Sequence, residues 1–500
     1  MSLPKVFANS TEYFQQVNEF LKKYSWIYRE ANTGFLKADI LNQMPHQYQK
    51  YFIEITNEEL NRFPYIHEPL ALLNDESIKN FRYQLNELIP PEAFQEPRAM
   101  EKTIKMENLK KMNIKKQHEI QRLAAVVKEN LKLNENGNEQ QEKYVLIDFG
   151  SGLGYLSELL YKLNRNILVL GLEADNYRVE AAEKRVKTFM PTANNSIQYR
   201  QQFITEQSQE FIVQTVEEVF KLNYQQVTTQ TTTTKMAIIG LHACADLTIT
   251  SLKLFLQMPQ VQHLIIMPCC YHKLQVCDES AVTKAALKFR NFPLSESLKK
   301  VLLNNDDKSN YAETQETFPT YLNRPFLRLA CQQTLKRWSK CSSIEHCKHG
   351  NEMFLRAVAE LIKMEGEEVV EQELIVFKRK EETANLSSLS AEDLKSFDTF
   401  SRFYGLKSKS TNDIVAWSER HRRRYLETID KYPNGGKLAE GLTCLQTSIQ
   451  KLCENLVLYD RLCYMEETAL KMNLKINVRY EKIMDEELSP RCYVLIAEKL

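Results

Sequence analysis

Residues 144–163 leave few options for a fold. The apolar run Tyr144-Val-Leu-Ile-Asp148 leads into Phe149-Gly-Ser-Gly-Leu-Gly154, and then into the amphipathic stretch Leu156-Ser-Glu-Leu-Leu-Tyr-Lys-Leu163. A strand without polar alternation is buried on both faces, which is the habit of parallel sheets. Gly150, Gly152 and Gly154 permit positive φ and let backbone N–H groups approach a ligand where the next helix begins. The alternation continues through ILVLGLE, YRVEAAEKRVKTF, SIQYR, a helical stretch at 209–221, MAIIGL, a helical stretch at 246–257 and HLIIM. Five such strands alternating with helices predict an α/β fold with a parallel sheet.

The flanks read differently. Phe14, Val17, Phe20 and Leu21 mark one apolar helical face in a mainly helical N-terminal region, 1–110. Between Lys102 and Arg122, seven Lys/Arg oppose Glu107 and Glu119, forming a basic segment just before the first strand. The polar runs 134–142 and 225–234 are expected to be loops. After ~275 the alternation stops, and a mixed region of polar loops and helical pieces follows. Leu445, Ile449, Leu452, Leu456 and Tyr459 then mark a long helix, ahead of two strand-like runs, INVRYEKIM and CYVLIAEKL. An isolated hairpin is marginal in water, so this one is expected to join the sheet begun at Tyr144. The expected organisation is therefore 111–275 as the core, 276–450 as an insertion, and 451–500 as a final helix and hairpin completing the sheet.

Sixty-six Lys+Arg against 65 Asp+Glu leave a net charge of +1, which excludes a wholesale polyanion binder but not a local basic face. The N-terminus has no basic and apolar leader, and no run reaches the ~18 apolar residues of a membrane span. Eleven irregularly spaced cysteines, several in apolar runs, point to reduced thiols. The chain is expected to be intracellular, cytoplasmic rather than nuclear, and not membrane-bound. Oligomeric state is not legible.

Glu173 ends the second strand, 19 residues after Gly154, where an acid accepts hydrogen bonds from both ribose hydroxyls of a nucleoside. The nicotinamide fingerprint is G-x-G-x-x-G. Here the third glycine comes one place early and Asp148 stands two residues before the first. The resulting D-x-G-x-G-x-G resembles motif I of class I S-adenosylmethionine (SAM) methyltransferases, which implies SAM held by Asp148, Gly150, Gly152, Gly154 and Glu173. That fold also ends in an antiparallel hairpin.

Strand four ends in Gly240-Leu-His-Ala-Cys-Ala-Asp246 and strand five in Pro268-Cys-Cys-Tyr-His-Lys273, at the edge where open α/β sheets place ligands. His242 and His272 are candidate bases for methyl transfer. Asp246 is expected to orient an imidazole, to cap the helix starting at Leu247, or both. Neither this group nor the loop-like stretch Cys341–His349 has C-x₂-C spacing, so no metal site is expected. Pro268-Cys269 resembles the Pro-Cys element of cytosine-5 methyltransferases, without the rest of their pattern. The Pro-Pro-aromatic tetrapeptide of adenine-N6 enzymes is absent after strand four.

DFGSGLGYLS, GLHACADL, PCCYHKL, NFPLSESLK, RPFLRLACQ, NLVLYDRLCYMEE and SPRCYVLIAEK together resemble the methyltransferase-like protein 25 family over roughly 110–500. The resemblance implies a class I SAM-methyltransferase Rossmann-like fold and SAM-dependent transfer to an unidentified acceptor. A tRNA ribose-methyltransferase family is similar at the strand-four and strand-five turns, which favours RNA over protein as acceptor. The basic segments Lys102–Arg122 and Arg420–Arg424 point the same way. The alternative is a non-catalytic binding or scaffold protein with the same fold.

Overall fold

The computed structural model describes residues 3–70, 73–98, 112–133, 144–222, 234–277, 288–304, 319–331, 334–363, 372–376, 393 and 395–500. Both polar runs lie almost wholly outside them, as does the first half of the Lys102–Arg122 segment.

Five strands open the sheet: β1 (Tyr144–Phe149), β2 (Leu168–Glu173), β3 (Ile197–Gln201), β4 (Lys235–Cys244) and β5 (Val261–Cys269). All their pairings are parallel, and β1 is buried at every position. The small strands β6 (Gln372–Val376), β7 (Tyr404–Ser408) and β8 (Ile414–Val415) form a separate antiparallel sheet in a region where the sequence showed only loops and helical pieces. β7 is only five residues long and runs directly out of the helix Phe397–Phe403, so periodicity could not isolate it. The chain ends with β9 (Ile476–Lys482) and β10 (Tyr493–Lys499).

The main sheet has the order β3-β2-β1-β4-β5-β10-β9. The terminal hairpin completes it, as expected, with β10 between β5 and β9 and antiparallel to both. β10 thus runs against the other six strands. Its Val494–Ala497 side chains are almost fully buried, so the hairpin contributes core as well as edge.

The expected boundary at 450/451 falls inside a single 37-residue helix, Gly435–Lys471. This helix is buried nearly all round between Leu438 and Leu458, because the N-terminal helices, the insertion and the sheet surround it. Polar residues on it find partners in each neighbour. Asn455 donates to Tyr13 Oη at 2.5 Å, and Gln446 to the Ile27 carbonyl at 2.9 Å. Lys451 meets Glu486 of the hairpin loop at 2.6 Å, and Lys482 meets the same carboxylate at 2.6 Å. Against the upward push of burial, those two ammonium groups hold Glu486 down at about 2. The N-terminal helices therefore share one apolar core with the rest of the described chain.

Candidate functional site

The glycine turn between β1 and the helix Tyr155–Leu163 forms a backbone cradle. Gly150, Gly152 and Gly154 have φ of +69°, +57° and +77°. At Gly154 a side chain is excluded twice, by the left-handed backbone and by the Tyr199 hydroxyl where its Cβ would lie. Gly150 N–H donates to the Leu172 carbonyl at 2.9 Å, tying the turn to β2. Glu173 accepts from Gly152 N–H at 3.0 Å and from Asp175 N–H at 3.2 Å. Asp148 is buried and accepts from Ser157 Oγ at 2.8 Å. Burial is the main reason its pKa rises to about 7, opposed by the Ser157 hydrogen bond and reinforced by the Glu173 charge. The five residues read as cofactor-binding thus come together at the carboxyl ends of β1 and β2.

One atom in the cradle lacks a protein partner. Ser151 Oγ is buried with no hydrogen bond. It lies beside Gly171 of β2, where a Cβ would come within 2.9 Å of it, so the hydroxyl fills the space under the turn and the cradle itself is the left-handed glycine backbone with Glu173 at its edge. The helix behind the turn is braced by Arg185, whose Nε and Nη2 each donate to Glu158 at 2.9 Å. The Arg185 guanidinium also lies 4.0 Å from the Tyr155 ring centroid, with Lys116 Nζ at 4.8 Å.

The turns after β4 and β5 form the other half of the edge. His242 Nε2 lies 3.5 Å from Glu119 Oε2, and Ser489 Oγ donates to Glu119 Oε1 at 2.7 Å. Burial acts upward on Glu119, but the His242 and Ser489 contacts hold its carboxyl below the usual range. Glu119 was missed in the sequence. Its signal was an acid inside the apolar face of the helix Ile114–Asn130, beside the buried Ile120 and Leu123. Asn113 starts that helix by accepting from Lys116 N–H, and Glu119 lies on its buried face.

Asp246 does neither thing expected of it. It is the first residue of the helix Asp246–Gln257, whose N-cap position is Ala245 and has no side-chain cap. Its oxygens accept from Gln275 N–H at 2.9 Å and Asn291 Nδ2 at 2.7 Å, so it holds the segment after β5 rather than an imidazole. His272 Nδ1 lies 3.3 Å from Cys331 Sγ, and burial with the Arg328 charge pushes its pKa down. Cys244, Cys269 and Cys270 cluster, with Cys244 Sγ 2.7 Å from Cys269 Sγ and 3.9 Å from Cys270 Sγ. Hydrogen bonds with Cys244 and Cys269, with Arg491 alongside, hold the Cys270 thiol below its ordinary range.

The stretch Cys341–His349, expected to be a loop, mostly lies in the helix Ser343–Ile362, started by a capping box between Ser342 and Glu345. Its histidines meet a carboxylate: His346 Nδ1 and His349 Nδ1 each lie 2.5 Å from Glu440, on the long helix. Glu440 raises the pKa of His349, against its burial.

Six strands in one direction, a seventh inserted antiparallel beside the fifth, and a glycine turn after the first with an acid after the second define the class I SAM-methyltransferase fold. A family model described as "Methyltransferase domain" matches residues 115–277, so the chain contains such a domain. It is similar to the mouse protein named "Probable methyltransferase-like protein 25", 24% identical over 271 residues. The match spans 52% of this chain and 37% of the mouse protein. The human protein of that name is 23% identical over 269 residues, covering 52% of this chain and 36% of its own length. The matches thus span less than two-fifths of these relatives. Among solved structures, the 23S rRNA methyltransferase ErmE is similar at 14% identity and a TM-score of 0.20, covering 32% of this chain and 47% of ErmE.

Proposed function

We propose that the chain transfers the methyl group of SAM to RNA. The observation that carries the donor half is the cradle itself: three positive-φ glycines and the Glu173 carboxylate at adjacent strand ends. SAM, when bound, supplies a methyl group already activated on a sulfonium. Glu173 would exchange its bond from Gly152 N–H for the ribose hydroxyls, while Asp148 and the glycine N–H groups would receive the methionine end. The protein's remaining work is to align an acceptor and remove its proton. His242, held by Glu119, is the side chain placed to take that proton. Asp246 and His272 act as positioning residues, since their partners are Gln275, Asn291 and Cys331.

RNA is favoured by the helix Glu419–Lys431, on which Arg420, Arg422, Arg423 and Arg424 are all exposed. Among the described residues Arg424 pairs with Glu427 at 3.5 Å, and no carboxylate lies within ion-pair distance of the other three. Exposed guanidinium groups without carboxylate neighbours suit phosphate. Eleven free cysteines fit a reducing, cytoplasmic setting.

Three measurements test the reading. Titration with SAM should show Glu173→Ala binding weaker by about 1–3 kcal/mol, as expected for an unpaired ribose edge. Equal affinities would remove Glu173 from the site. Labelled SAM should transfer to total RNA with wild type and not with Gly152→Arg. Transfer to protein alone would replace the acceptor, and binding without transfer to any pool would leave a non-catalytic module. Arg422/Arg423/Arg424→Glu should flatten the salt dependence of RNA affinity by a log–log slope of about 2 or more. An unchanged slope would sink the RNA assignment.

A further inference from the structure

We infer that Cys244, Cys269 and Cys270 form a tri-thiolate site for a zinc(II) ion. Their three sulfur atoms lie within 4.8 Å of one another, and among the described residues no other group of three His, Cys, Asp or Glu side chains converges this way. Zinc–sulfur bonds of ~2.3 Å in a tetrahedron set ligand sulfurs about 3.8 Å apart. Cys244 and Cys270 already stand at 3.9 Å, and the 2.7 Å pair needs to open by about 1 Å, within reach of a small χ1 change in either residue.

The backbone is built to bring these sulfurs together. Cys244 and Cys269 are the last residues of β4 and β5 and are register partners, after an irregularity between Gly240 and Ala243. Cys270 itself adopts φ +54°, and Ala245, which follows Cys244, φ +51°, positive values at two non-glycine residues within and beside the cluster. Non-glycine residues hold such conformations only where surrounding structure enforces them, and they concentrate at functional sites. Packing would explain three buried thiols facing apolar neighbours. These face each other, and Cys244 is partly exposed.

Charge completes the case. Three thiolates with a dication leave one negative charge, and the site holds one cation to match it. Arg491 Nη2 lies 3.6 Å from Cys270 Sγ, and its buried Nε has no hydrogen-bond partner among the described residues. Arg491 comes from the loop of the terminal hairpin, so the site closes only when that hairpin is docked. Among the described residues no fourth His, Cys, Asp or Glu side chain joins the three, which leaves the fourth coordination position to water. The thiols release their protons when the ion binds.

This site is independent of the methyl-transfer reading, and its test uses metal alone. The full-length chain, reduced and stripped anaerobically, is titrated with cobalt(II) and then zinc(II). One equivalent of cobalt should produce tetrahedral ligand-field bands and sulfur-to-cobalt charge transfer, both abolished by an equivalent of zinc. Cys244→Ser and Cys269→Ser should each lose about a third or more of the charge-transfer intensity and bind cobalt more weakly, the control Cys277→Ser should change neither, and Arg491→Gln should bind about ten- to a hundredfold more weakly. Wild type that takes up no cobalt overturns the assignment even if a variant fails to fold. So does a band of undiminished intensity in Cys244→Ser, or a Cys244–Cys269 disulfide in anaerobically prepared protein.

Discussion

Asp148→Asn should stabilise the unliganded protein at high pH. Asp148 is 2% exposed, has Ser157 Oγ as its hydrogen-bond donor at 2.8 Å, and stands near the Glu173 charge. The folded protein holds its proton up to about 7, whereas the unfolded chain releases it near the ordinary 3.8. Below pH 3.8 the carboxyl is neutral in both states and changes nothing. As pH rises from there, the unfolded chain ionises first and gains on the folded one, and the penalty levels off above about pH 7. An interval of roughly three pH units at ~1.4 kcal/mol each gives about 4 kcal/mol against the folded state at pH 8. An asparagine keeps the Ser157 bond but must bury an amide, which takes back about 1–2 kcal/mol. The net gain is about 2–3 kcal/mol at pH 8, shrinking to nothing or reversing at pH 5. Denaturant unfolding of both proteins at pH 5, 6, 7 and 8 measures it. The binding consequence is opposite in sign: wild type should bind S-adenosylhomocysteine more tightly as pH rises from 6 to 7, and the variant should bind weakly at both. A stability difference that does not change with pH, or a variant less stable than wild type at pH 8, would refute the reasoning.

Gly154→Ala places a Cβ at φ +77° against the Tyr199 hydroxyl and should destabilise by about 2 kcal/mol or more, by thermal or denaturant unfolding. Gly152→Ala meets no close neighbour, so its effect should be nearer 1 kcal/mol. His349, whose pKa Glu440 raises, contributes stability that is complete below pH ~6.5 and lost as pH climbs through the raised value. Denaturation midpoints should therefore separate wild type from His349→Gln at pH 6 and converge by pH 9. Glu119→Gln should lower kcat for methyl transfer with little change in SAM affinity, because Glu119 contacts His242 and Ser489 rather than the glycine turn. A matched loss of SAM affinity would assign it a structural role instead.

The five parallel strands and the glycine cradle were legible because their signals are local. An unbroken apolar run, a demand for positive φ at Gly150, Gly152 and Gly154, and an acid at the next strand's end each concern neighbours along the chain. The hairpin's docking was legible by elimination, since two strands cannot stand alone. The helix at 343–362 is hidden in the sequence by its dense polar and ring-bearing residues Glu345, His346, Lys348 and His349, although Ser342 and Glu345 form the capping box that starts it. Other features had no local trace at all. Nothing near His242 announces Glu119 and Ser489, and nothing near Asp246 announces Asn291. The sequence spacing of Cys244, Cys269 and Cys270 argued against a metal. Their sulfurs meet because β4 and β5 are paired in register and both backbones take a positive φ just past their ends. Periodicity and turn chemistry are properties of a few consecutive residues, but hydrogen-bond and ligand partners are chosen by which strand ends lie side by side after the sheet closes. That adjacency is settled by burial summed over the whole chain.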